Sequence, residues 1–166
     1  MPSLVAIVVA HDSAAAPPCC LAARAGQNVP AIVVDNASRD ASAAVAEAAG
    51  AQVIRNARNE GYGRANNRGV RAAETAEHIL IVNPDVVLRP GAVDALLEAA
   101  RMWPDAGLLA PRLVESDGRF FFQARSLLAP YLANPGGRPA PPQGDACAPF
   151  LSGACLAGIY VVAESW

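Results

Sequence analysis

The chain has 166 residues, 53% of them hydrophobic and 17% charged, which is enough apolar material for one core of ordinary domain size. A formal net charge of -2 gives no electrostatic basis for binding nucleic acid. All 13 basic residues are arginine, which excludes a P-loop lysine, a Schiff base and a lysine general base.

Residues 3–10 form a continuous run rich in Val and Ile, the pattern of a strand buried on both faces. The run could pass for a signal-peptide core, but no basic residue precedes it and His11-Asp12 follow at once. Residues 14–26 read as a short helix, with Pro17 and Pro18 near its start and Gly26 at its end. Residues 31–34 are a second strand. An Ala-rich helix, capped by Ser38 or Asp40, runs to Ala49 and is closed by Gly50. Residues 51–54 are a third strand, and 62–77 a polar helix weakened by Gly69. A fourth strand spans 78–82, a helix with proline in its first turn 90–102, and a fifth strand 107–110. Strand and helix thus alternate to residue 110, the signature of an α/β, Rossmann-like, mostly parallel sheet with helices on both faces. The alternation then stops. Asp117-Gly118 signals a hairpin between Leu113 and Phe122, residues 129–149 read as a Pro-rich loop, and 150–163 are a last apolar piece.

The four cysteines, Cys19, Cys20, Cys147 and Cys155, form no Cys-x-x-Cys pair. Neither they nor His11 and His78 have metal-ligand spacing, so they read as reduced core residues of a cytosolic protein. No apolar run approaches the roughly 20 residues of a membrane span.

The chemistry-bearing residues follow the strands. Asp35 ends the second strand, where a carboxylate can accept hydrogen bonds from a ribose or a base. The bland alternative is a helix cap, a part open to Asn36, Ser38 and Asp40. Asn83-Pro84-Asp85 follows the fourth strand. Its oxygens, spaced i and i+2, can face one hard cation that draws its remaining ligands from a diphosphate. Asn83 is the weaker ligand, so Asp85 carries the metal expectation; an ordinary Asn-Pro-Asp turn is equally open. Between them lies a stretch with Asn59, Gly61, Gly63, Arg64 and Asn66. Glycines before a helix allow close backbone approach to phosphate, and Arg64 can add charge-assisted bonds. Gly61-x-Gly63-x-x-Asn66 misses the dinucleotide fingerprint, because its last position is Asn and it follows the third strand. Ser152-Gly153-Ala154-Cys155 lacks a hydrolase elbow.

Taken together, these blocks resemble the family 2 glycosyltransferases of GT-A fold, in particular their rhamnosyltransferase-like branch, from Ser3 to about Leu156. His11-Asp12-Ser13 stands where Tyr-Asn-Ser is usual. Asp35-Asn36-Ala37-Ser38 with Asp40 is similar to the nucleotide-binding turn, and the segment from Asn59 through Gly69 to one that is Asn-Leu-Gly-Phe in many members. Asn83-Pro84-Asp85 stands at the metal-binding motif, and Ser152, Gly153 and Ala154 resemble the acceptor-side segment. The resemblance implies an inverting, metal-dependent transfer of a sugar from a nucleoside diphosphate donor to an acceptor hydroxyl. Asp35, Asn36, Ser38, Asn59, Gly61, Arg64, Asn66, Asn83 and Asp85 would bind the donor, and Asp85 would hold Mg or Mn. A dTDP- or UDP-linked sugar and a glycan or lipid-linked acceptor are implied, in cell-surface polysaccharide synthesis. The expected location is the cytoplasm or the inner face of the membrane, without a membrane span.

The family places its catalytic base downstream of the Ser-Gly-Ala-Cys segment, in an acidic pair. Here 11 residues follow Cys155 and their one carboxylate is Glu164, so no base is assigned. The expectation is a single domain over residues 1–166 that is the donor half, without the C-terminal acceptor and base region. A non-catalytic nucleotide-sugar-binding module or inactive fragment is the alternative. A nicotinamide oxidoreductase is disfavoured, since no glycine fingerprint follows the first strand. A purely structural domain that forms a homodimer through a sheet edge or apolar patch is a further reading.

Overall fold

A computed structural model describes residues 4–16, 29–111, 113–114, 120–121 and 155–158. The expected helix at 14–26 lies mostly outside these residues, as do the loop at 129–149 and Ser152, Gly153 and Ala154.

The architecture is a six-stranded sheet in the order β3-β2-β1-β4-β8-β5. Strand β1 (Leu4–Ala10) lies at its centre, parallel to both β2 (Ala31–Asp35) and β4 (His78–Val82). Strand β3 (Gln52–Arg55) extends the parallel set beyond β2. The central strands are nearly all Val, Ile, Leu and Ala because both of their faces are buried. Alternate residues serve opposite layers. Ala6, Val8, Ala31, Val33, Leu80 and Val82 face one core, while Ile7, Ile32, Val34, Ile79 and Ile81 face the other.

Helix α1 (Ser42–Ala48) and helix α3 (Ala92–Met102) cover the first face through Ala46, Val93 and Leu96. Helix α2 (Tyr62–Ala72) covers the second through Ala65 and Val70. The chain therefore changes face when it crosses from β3 over β1 to β4, and the strand order reverses at β1 and β4. Open α/β sheets bind ligands outside the carboxyl ends of strands at such a switch point.

Several boundaries differ from the sequence expectation for local reasons. Asp40, not Ser38, accepts the first amide of α1, through Oδ1 from Ser42 N at 2.9 Å. The expected closure at Gly50 is present: Gly50, at φ +77°, donates to Glu47 O and Ala51 to Ala46 O, a Schellman ending. Helix α2 stops at Ala72 rather than 77, and Ala76 N closes a turn onto Ala73 O. Pro90 lies just before α3, not within it, because Gly91 takes a left-handed conformation and sets the start at Ala92.

The fifth expected strand is short, β5 (Leu108–Leu109), and does not pair with β4. Strand β8 (Cys155–Gly158), from the last apolar piece, lies antiparallel between the two. Strands β6 (Leu113–Val114) and β7 (Phe120–Phe121) pair antiparallel, as the hairpin signal required. No helix among the described residues is long and apolar enough to cross a membrane.

Candidate functional site at the carboxyl ends of the strands

Four loops leave the carboxyl ends of β1, β2, β3 and β4 and meet above the sheet. The first two are tied by hydrogen bonds between residues far apart in sequence. Asp12 N donates to Ser38 Oγ at 3.1 Å, and Arg39 N donates to Asp12 Oδ1 at 2.7 Å. Ser13 N donates to Ser42 Oγ at 2.8 Å, and Ala14 N to Asp40 Oδ2 at 2.9 Å. The Ser42 hydroxyl in turn donates to Asp40 Oδ1. That hydroxyl is the chief reason the Asp40 carboxyl is held below its ordinary range, with the Ala14 amide next. Asp12 and Ala37 both adopt positive φ, 47° and 63°, so the two loops curl rather than continue their strands.

Asp35 closes β2 and is buried at 6% exposure. Its one side-chain hydrogen bond among the described residues is long, from Ser38 N to Oδ1 at 3.4 Å. A carboxylate has room for about four hydrogen bonds, and burying its charge is costly unless partners are found. Among the described residues Asp35 therefore keeps spare acceptor capacity. It caps no helix: the N-cap of α1 is Ala41, which makes no side-chain cap bond, and Asp40 just before it accepts the Ser42 amide.

A ladder of side-chain amides joins β2, β3 and α2. Arg68 Nη1 donates to Asn56 Oδ1 at 2.6 Å, and Asn56 Nδ2 to Asn36 Oδ1 at 2.9 Å. Asn36 Nδ2 then donates to Asn59 Oδ1 at 2.8 Å, which also accepts Gly61 N at 2.9 Å. Glu60 N adds a second bond to Asn36 Oδ1 at 3.0 Å. Asn36 and Asn56 are buried, and a satisfied buried polar network has few alternative arrangements. It fixes the entry to α2, where Gly61 stands at φ 82° and ψ 160°, a conformation open in practice only to glycine.

In α2, Gly63 has no heavy atom near the place of a Cβ, so the backbone beside it is open. Arg64 is exposed. Asn66 is buried; its Nδ2 donates to Tyr62 O at 3.1 Å, and its Oδ1 has no hydrogen-bond partner among the described residues.

Residues 83–86 form a β-turn, with Val86 N donating to Asn83 O at 3.2 Å and Pro84 at its second position. The turn leaves Asp85 exposed. Asn83 Oδ1 accepts the hydroxyl of Tyr62 at 2.9 Å. The register places this turn relative to Asp35. Asp35 pairs with Ala10, and Ile7 with Ile81, so β2 and β4 flank β1 in parallel and both turns leave at its carboxyl end. The two turns flank the end of β1, two strand spacings or about 10 Å apart.

The profile of one protein family, described as glycosyl transferase family 2, matches residues 6–158. The chain belongs to glycosyl transferase family 2. A relative, N-acetylglucosaminyl-diphospho-decaprenol L-rhamnosyltransferase of Mycobacterium tuberculosis, is 36% identical over 111 residues, 60% of this chain and 36% of the relative. Among solved structures, S. aureus TarS 1–349 superimposes with a TM-score of 0.60 at 22% identity, covering 74% of this chain and 39% of that one. The mannosyltransferase of Pyrobaculum calidifontis in complex with GDP-Man and Mn2+ gives 0.59 at 20% identity, covering 69% and 36%. Glucosyl-3-phosphoglycerate synthase of Mycobacterium tuberculosis with Mn2+ and UDP gives 0.55 at 20% identity, covering 64% and 42%. The chain thus spans about a third of the length of the curated relative. The structural neighbours bear out the GT-A architecture.

Within this family 2 domain, the turns around Asp35 and Asp85 are brought to one end of the sheet, together with Asn36, Ser38, Asn59, Gly61 and Asn83. Five residues to which the sequence assigned no role of their own hold them there: Asp12, Ser42, Asn56, Tyr62 and Arg68. Asn56 carried a faint signal, a polar residue directly after a strand. The bond from Tyr62 to Asn83 had none, since 21 residues separate the pair.

Proposed function

We propose that the chain binds a nucleoside diphosphate sugar across the end of β1 and contributes to its transfer, by an inverting displacement, to an acceptor hydroxyl. The observation that carries this is the placing of the buried Asp35 and the exposed Asp85 after β2 and β4, the two strands that flank β1, at the same end of the sheet. Asp35 accepts hydrogen bonds from the base or ribose. Asn36 and Asn59 hold its turn, Ser38 braces the neighbouring loop, and the entry to α2 at Gly61 offers backbone amides toward the diphosphate. Arg64 and Asn66 are further donor-side residues in this reading.

Asp85 would hold a divalent cation. Among the described residues no group of three or more His, Cys, Asp or Glu is placed to hold a metal ion. A single exposed carboxylate suits Mg or Mn that takes most of its ligands from a diphosphate and water. When bound, such an ion supplies positive charge to the departing diphosphate. In the transfer the sugar's anomeric carbon–oxygen bond to the diphosphate would break, a bond to the acceptor oxygen would form, and the acceptor's proton would pass to a general base, a part assigned to no residue of this chain. Similarity to the mycobacterial L-rhamnosyltransferase supports an L-rhamnosyl donor and a lipid-linked acceptor.

Calorimetric titration with thymidine and uridine diphosphates, with and without manganese, tests the reading. Metal-enhanced binding that Asp85→Ala abolishes in a folded protein is the expected result. Binding by Asp85→Ala that manganese still strengthens would overturn the metal assignment.

A further inference from the structure

One segment of the chain touches both turns of the proposed site. Residues 59–61 hold the Asp35 turn through Asn59 Oδ1 and the Glu60 amide, both bonded to the Asn36 side chain. The next residue, Tyr62, donates its hydroxyl to Asn83 Oδ1 in the other turn. Tyr62 begins α2, whose entry is fixed by the Gly61 amide on Asn59. Its ring therefore projects from a defined base. Asn83 follows β4, whose position is set by pairing with β1. A hydroxyl–carboxamide bond between two such fixed bases orients the carboxamide and, through Pro84, the Asp85 that follows.

From this we infer that Tyr62 is a positioning residue that aims the 83–86 turn, so that Asp85 and not Asn83 is presented to the cation, and that it couples metal binding to nucleotide binding. The inference rests on the donor-site reading above. The Asn83 oxygen points to a phenol, which spends one of its two lone pairs on a hydrogen bond. A neutral amide so engaged is a poorer ligand than the exposed carboxylate two residues on. The nucleotide turn and the metal turn then share one support, residues 59–62, and order in one is passed to the other.

The test compares wild type, Tyr62→Phe, Asn83→Ala and the double variant by calorimetric titration with uridine diphosphate, with and without manganese, alongside thermal melting. The quantity read is the ratio of the two affinities. Tyr62→Phe keeps the ring and removes only the hydroxyl. It is expected to leave the melting temperature and the metal-free affinity unchanged and to lower the ratio by about 3- to 10-fold, the scale of one neutral hydrogen bond. Asn83→Ala should lower the ratio similarly, and the double variant no further than either alone. A ratio unchanged in Tyr62→Phe, where wild type shows enhancement, overturns the role of Tyr62 and leaves the donor site standing. Additive losses in the double variant overturn it too, because the two residues would then act separately. Equal loss with and without manganese also overturns it, since Tyr62 would then serve the nucleotide itself. No enhancement in wild type removes the metal role of Asp85 and this inference with it, and no binding of uridine diphosphate at all removes the donor reading.

Discussion

Ala37 shows how a single residue can be held against its own preference. It lies at φ 63°, a region that L-residues other than Asn and Asp avoid, in the loop that carries Asp35 toward the sheet end. The hydrogen bonds around it, from Asn56 Nδ2 to Asn36 Oδ1 and from Asp12 N to Ser38 Oγ, hold the loop in that shape. Ala37→Gly should relieve the strain and raise stability by about 0.5–1 kcal/mol, as the steric cost exceeds glycine's added freedom in the unfolded chain. Chemical denaturation checks it, and no gain would mean that the loop is not strained. Asp40 makes a second residue-scale case. Its carboxyl is lowered from the ordinary value of 3.8 by the Ser42 hydroxyl and then the Ala14 amide. A lowered folded value means that its stabilisation is complete above the unfolded value and is lost as pH falls through the folded one. Asp40→Asn should therefore melt lower than wild type at pH 7 and lose less between about pH 5 and pH 3. Parallel acid profiles for the two proteins would sink the argument.

At the scale of elements, Gly69 decides how α2 meets the sheet. A Cβ there would stand 2.5 Å from Ile7 Cγ2 and 3.2 Å from Val34 Cγ2. Ile7 and Val34 are wholly buried β-branched side chains in the two central strands, so neither can swing away. From sequence, Gly69 only weakened a helix. In the fold it allows the helix to lie close enough to bury Ala65 and to bring Arg68 down to Asn56. Gly69→Ala should destabilise the domain by about 1–3 kcal/mol despite the better helix propensity of alanine. Thermal or denaturant unfolding measures this, and a stabilised variant would show that α2 stands off more loosely than described. The surface pair of Arg55 with Glu47, at 2.6 Å, joins α1 to β3, but both partners are half exposed and such pairs contribute little.

Over the whole molecule, the proposed donor site lies where the topology reverses, and its parts come from four loops that share no local sequence. The proposed site has one carboxylate for a cation, so the cation and the nucleotide should depend on each other. Manganese alone should leave the melting temperature nearly unchanged. Uridine diphosphate with manganese should raise it, by the equivalent of about 2.7 kcal/mol when the ligand stands at 100 times its Kd. A thermal shift assay reads both, and a large rise with manganese alone would point to a metal site independent of the nucleotide.

The periodic apolar runs were enough to place β1, β2, β3 and β4, because strands buried on both faces leave no choice but Val, Ile, Leu and Ala. The same runs were enough to bring Asp35 and Asp85 to one end of the sheet, because the carboxyl ends of parallel strands lie together wherever the sheet forms. The family was legible in the order of those same blocks, as the match over residues 6–158 bears out. Tertiary structure alone decided that β8 enters antiparallel between β4 and β5, since a short apolar run carries no direction. It alone turned Gly69 from a weak point into a contact, and it alone joined Tyr62 to Asn83. Each of these depends on the distance between residues far apart in the chain, which the spacing of letters along a sequence does not contain.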